Sequence, residues 1–77
     1  MTEFHFHVLR TLSYTQRRLM RPAPTRFITV DAGVTISERR MRDYLRDLEN
    51  AGLVARPNGP KSGWSAIARR LDASLVA

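Results

Sequence analysis

The chain has 77 residues, 43% of them apolar and 26% charged, and its thirteen basic and seven acidic side chains give a net charge of +6. A polypeptide this short buries only roughly 60–65% of its unfolded surface, which excludes two independent cores, and the balanced composition argues against wholesale disorder. The lack of cysteine excludes disulfide staples, thiolate metal sites and cysteine nucleophiles together. No apolar run approaches the roughly 18 residues of a membrane span, and the first residues, Met1 to His5, do not have a basic segment followed by an apolar one. A soluble, unexported, cytoplasmic protein is expected. Twelve of the thirteen cations are arginine, and the isoelectric point is near 11.3. Such a surplus suits a polyanionic partner, nucleic acid before membrane or acidic protein.

In chain order, the spacing predicts a first helix over residues 4–20. Phe4, Val8, Leu9, Leu12, Leu19 and Met20 fall on one side, Thr15 and Gln16 complete the stripe, and Arg10, Arg17 and Arg18 lie opposite. Thr2 is a suitable N-cap, and Pro22 and Pro24 stop the helix, making residues 21–25 a rigid connector. Residues 26–30 are short and partly β-branched, and fit either a brief strand or the entry to a stubby helix capped by Thr29. A second parse pairs residues 27–30 with 34–37 as a hairpin around Asp31, Ala32 and Gly33.

The next helix is better marked. Ser37 is the expected N-cap, Met41, Tyr44, Leu45 and Leu48 share one face, and Gly52 supplies the left-handed residue after the end near Ala51. Leu53 follows where a Schellman stop would set it against Leu48. Residues 53–56 and 64–68 read as two strands joined by a turn-rich segment that contains Asn58-Gly59. The tail at 69–77 is mildly amphipathic and too short to hold a helix unless it docks.

Helix, short extended piece, compact turn, serine-capped helix, Ala51-Gly52-Leu53-Val54 and a glycine-rich hairpin: this order resembles the winged helix-turn-helix family of DNA-binding domains. The residues that carry the likeness run from Ile36 through Ser37, Met41, Leu45 and Leu48 to Val54, and the hairpin extends it to residue 68. One departure is that residues 30–36 leave room for about one helical turn where the family usually places two and then a turn. The resemblance therefore implies an α+β winged helix-turn-helix domain over residues 1–77, with a three-helix core, a short second helix, a recognition helix at 37–51 and a C-terminal β-hairpin wing at 53–68. It further implies a small transcriptional regulator or repressor, of bacterial or phage type, that binds double-stranded DNA. Doubling a module of about 600–1,000 Å² would favour a homodimer on symmetric half-sites.

In that fold the first turns of the recognition helix approach base edges in the major groove. Arg39, Arg40 and Asp43 are then the candidates for reading bases. Arginine can donate twice to guanine, and aspartate can accept from cytosine or orient a neighbouring arginine. Ser37, Arg42, Arg46, Arg56 and Lys61 are placed for phosphates, which fix register. Arg17, Arg18, Arg21 and Arg26 suit either the phosphate backbone or simple solubility. Residues 37–56 hold five arginines against four acids, so a solvated face with pairs such as Arg39–Asp43 would read much the same. However, Arg39 and Arg40 occupy a first turn where the helix dipole disfavours cations. Trp64 is expected to cover the core edge rather than stack on a nucleotide.

His5 and His7 point about 200° apart on a helix and have no third ligand at suitable spacing, which argues against a metal. The serines have no paired base, and no phosphate-cradling glycine loop is present. The chain reads as non-enzymatic and free of cofactors. The competing function is a phage-type adaptor or inhibitor that docks the same arginine face on an acidic protein partner.

Overall fold

Helix α1 spans Glu3–Leu19 and is started by Thr2, whose hydroxyl accepts from the His5 backbone N–H at 3.3 Å. His5 reciprocates through Nδ1, which accepts from the Thr2 N–H at 3.1 Å, so a histidine completes a capping box usually closed by Glu or Gln. The computed structural model describes residues 1–33 and 35–67, and the amphipathic tail at 69–77 lies outside them. Val8, Leu9 and Leu12 enter the core as the spacing requires. Met20 does not. It ends α1 in a left-handed conformation (φ 55°) and is 89% exposed, while the Arg21 N–H reaches back to the Gln16 carbonyl at 3.3 Å. The helix thus stops at Met20, before either proline.

Residues 22–24 then run extended, and Ala23 exchanges both backbone hydrogen bonds with Trp64 at 2.8 Å each. Helix α2, Thr25–Asp31, begins directly after Pro24. Of the alternatives the sequence left open, the strand and the 27–30/34–37 hairpin are therefore both ruled out, since residues 27–30 are helical. Burial explains why. Ile28 and Ala32, four residues apart, face inward, while Val30, which a strand would bury with Ile28, is exposed. Thr29 is not the cap; its hydroxyl donates back to the Thr25 carbonyl at 2.9 Å. Gly33, at φ 69°, supplies the left-handed residue that follows α2.

Helix α3 spans Glu38–Asn50 and is capped by Ser37, whose hydroxyl accepts from the Arg40 N–H at 3.1 Å. Met41, Leu45 and Leu48 are fully buried. At its end the Leu53 N–H bonds the Leu48 carbonyl and the Gly52 N–H that of Glu49, both at 2.9 Å, with Gly52 at φ 79°. This is the expected Schellman closure. Strands β1 (Val54–Ala55) and β2 (Ser65–Ala66) pair antiparallel, Val54 opposite Ala66 and Ala55 opposite Ser65. The hairpin is as predicted in place but shorter in its regular part, and the Ile67 N–H extends it by bonding the Leu53 carbonyl at 3.0 Å. Among the described residues, three helices and this hairpin make a small α+β domain.

Polar side chains fix the layers to one another. Gln16 of α1 donates to Ser65 Oγ at 2.7 Å and accepts from the Ala66 N–H at 2.9 Å, fastening the hairpin to α1. Thr15, fully buried, donates to Asp31 Oδ2 at 2.7 Å, and Arg18 donates to the same oxygen at 2.9 Å, fastening α2. The Thr15 hydroxyl, and with it the Arg18 guanidinium, holds the Asp31 carboxyl below the ordinary aspartate range against the opposing effect of burial. Among the described residues, no helix is long and apolar enough to cross a membrane, and no three His, Asp or Glu side chains are grouped to hold a metal.

Candidate nucleic-acid interface

With one edge of α3 sealed into the core, the remaining sides of the helix present Glu38, Arg39, Arg40, Arg42, Asp43, Arg46 and Asp47 at the surface. Among the described residues, Arg18–Asp31 and Arg56–Glu49 are ion pairs, and His5 is hydrogen-bonded to Asp47. Arg39, Arg40, Arg42 and Arg46 thus close no pair with a carboxylate of the described residues, and the helical pairing of Arg39 with Asp43 that a self-satisfied face would use is not made. Two of the four acids on α3 are instead occupied from elsewhere. Asp47 accepts from His5 Nε2 at 2.8 Å, and Glu49 receives two N–H groups of Arg56 at 3.0 and 3.1 Å.

A groove of about 690 Å³ opens between α3, the start of α2 and the loop of the hairpin. Six cations line it, Arg21, Arg26, Arg42, Arg46, Arg56 and Lys61, against one acid, Glu38. Pro22, Pro24 and Trp64 contribute its apolar wall. A concave surface of one charge sign with low-dielectric walls concentrates potential and draws in counter-charge. The other sides of α3 are shallower. Arg39 and Asp43 share a hollow with Arg42 and Arg46, whereas Arg40 turns to the opposite flank, beside Asp43, Tyr44 and Asp47.

The phosphate candidates Arg42, Arg46, Arg56 and Lys61, drawn from two elements and a loop, therefore come together in one groove. Ser37 is engaged as the cap of α3, but only through its oxygen lone pair, so its hydroxyl proton is left to donate outward. Arg56 is the most constrained of the set. Its guanidinium is gripped by Glu49 and lies 4.8 Å from the centre of the Trp64 ring, which fixes its position and offsets its charge. Of the base-reading candidates, Asp43 lies between the other two, sharing one hollow with Arg39 and another with Arg40.

Trp64 is 4% exposed and packs at the core edge, as expected. Its indole N–H donates to Thr25 Oγ1 at 3.0 Å, joining the hairpin to the first residue of α2. Sequence reasoning left Arg21 and Arg26 undecided, and they line the groove, while Arg18 is spent on Asp31. Nothing local to residues 21–26 marks them for this position. The Ala23–Trp64 bridge swings the connector against the hairpin and brings both arginines with it. The hairpin turn is organised by Gly59, at φ 101°, whose N–H bonds the Arg56 carbonyl at 3.1 Å and whose own carbonyl receives the Ser62 N–H at 3.2 Å.

His5 has a structural task that the sequence did not reveal. Its ring accepts at Nδ1 and donates at Nε2, a neutral tautomer that serves the α1 cap and Asp47 at once. Tyr44 packs edge-on to it and to Phe4, with ring centres 4.8 and 4.6 Å away. Comparison with protein-family models, with curated proteins and with solved structures finds no match to this chain.

Proposed function

We propose that this chain is a winged helix-turn-helix module that binds double-stranded DNA and serves as a small transcriptional regulator. The element order supports the fold reading: α1, the extended residue Ala23, a short α2, α3 and a hairpin, with Trp64, just before its second strand, bridged to Ala23. The observation that carries the functional reading is the groove beside α3, where six cations meet one acid. In this reading α3 lies in the major groove with Arg39, Arg40 and Asp43 toward base edges. A phosphate strand follows the cationic groove past Arg42, Arg46 and Lys61, with Arg56 as its fixed point. A second copy on a symmetric half-site supplies the remaining contact area.

Duplex binding measured against salt tests this. With several phosphates neutralised, the logarithm of affinity should fall against the logarithm of salt with a slope of about −3 to −5. Arg42→Ala should weaken all duplexes alike and reduce that slope by about 1, whereas Arg39→Ala should change sequence preference. If random duplex is not bound even near about 50 mM salt, where phosphate contacts count most, the DNA reading fails. The arginine face would then belong to an acidic protein partner.

A further inference from the structure

Asp43 is the acid on α3 with no structural employment. Asp47 is held by His5 and Glu49 by Arg56. Glu38 occupies the first turn, where the helix dipole favours a carboxylate. Asp43 sits mid-helix, exposed, with no ion pair or side-chain hydrogen bond among the described residues, although aspartate is one of the poorer helix formers. It lies between Arg39, Arg42 and Arg46 on one side and Arg40 on the other. A negative charge there weakens the attraction of this face for any phosphate, so its effect on random duplex is adverse.

We propose that Asp43 is the selectivity determinant of this surface, repelling phosphate from the crest of α3 and accepting a hydrogen bond from the N4 amine of a cytosine. The inference rests on the DNA reading above and deepens it. An ionised carboxylate only accepts. Phosphate oxygens, guanine O6 and N7 and thymine O4 also only accept, so each of them is repelled; the amines of cytosine and adenine donate, but adenine sets its acceptor N7 beside the amine and its partner thymine offers a single acceptor. The cytosine's partner guanine presents the two acceptors suited to a guanidinium, and Arg39 and Arg46 flank Asp43 in the same hollow. Acceptor and donors side by side on one helix match a C·G pair and no other arrangement as well. The specificity ratio rises from both directions: matched sites gain a contact, and unmatched duplex keeps an uncompensated repulsion.

The test is selection from random duplex pools, with affinities for the selected site and a scrambled duplex, for the wild type, Asp43→Ala and Glu38→Gln. Glu38 is the control, a second exposed acid on the same helix that lines the groove. The wild type should enrich a C·G pair at one position of the site. Asp43→Ala should lose that preference alone, bind the selected site on the order of tenfold more weakly, and bind scrambled duplex several-fold more tightly. Glu38→Gln should tighten both duplexes alike and leave the preference profile intact. Asp43 makes no ion pair or side-chain hydrogen bond among the described residues, so helicity by circular dichroism should be unchanged. If the wild type binds duplex but Asp43→Ala keeps the C·G preference, or tightens both duplexes equally as the control does, the inference is overturned and the DNA reading stands. Absence of duplex binding by the wild type overturns both.

Discussion

At Gly63 the backbone of the hairpin meets the backbone of the connector with no room for a side chain. A Cβ there would lie 2.5 Å from the carbonyl carbon and oxygen of Pro22 and 2.7 Å from the Ala23 nitrogen. Backbone atoms cannot rotate aside as a side chain can, so Gly63→Ala must pull the Ala23–Trp64 bridge apart. We expect a loss of about 1–3 kcal/mol, read from the urea midpoint, and a midpoint equal to wild type would show that the bridge is not held this closely. The sequence marks Gly63 only as one of several turn residues. That it is needed for close approach follows from a contact about forty positions away in the chain, which no local pattern encodes. Ser37, Gly52 and Leu53, by contrast, are legible one by one, because a cap and a Schellman stop join residues three to five apart.

Elements are tied through a few polar groups, and in the α1–α2 tie a carboxyl is held below its ordinary range. Asp31 receives hydrogen bonds from Thr15 and Arg18, and its carboxyl is held below the ordinary range when folded. The folded state therefore favours the ionised form. The stabilisation is complete above the unfolded value of about 4 and is lost as acid takes the pH through the lower folded value. Urea midpoints of wild type and Asp31→Asn should thus differ at neutral pH and converge below about pH 4. A gap independent of pH would mean that Asp31 acts through shape alone. At this scale the sequence located α1, α3 and the hairpin, whose apolar spacing and stops are strong. It left α2 open because the β-branched residues at 28–30 favour a strand locally, and only burial of Ile28 and Ala32 against the other helices selects a helix.

Over the described residues as a whole the charge is unevenly distributed, and the tertiary arrangement sets that distribution. The groove draws Arg21 and Arg26 from the connector and α2, Arg42 and Arg46 from α3, Arg56 from the end of β1 and Lys61 from the loop. If this groove is the phosphate track, Arg21→Ala and Arg26→Ala should each weaken duplex binding and flatten the salt dependence by about one unit of slope. Arg17→Ala, exposed on α1 away from the groove lining, should do neither. Equal effects at all three would assign the binding to net charge rather than to the groove. The sequence by itself determined the periodic faces, the caps and the cationic surplus, since each depends on residues within a few positions of one another. Which cations gather, which acids are taken out of play by His5 and Arg56, and where α2 begins were decided only when the connector paired with Trp64, because those outcomes depend on distances between segments far apart in the chain.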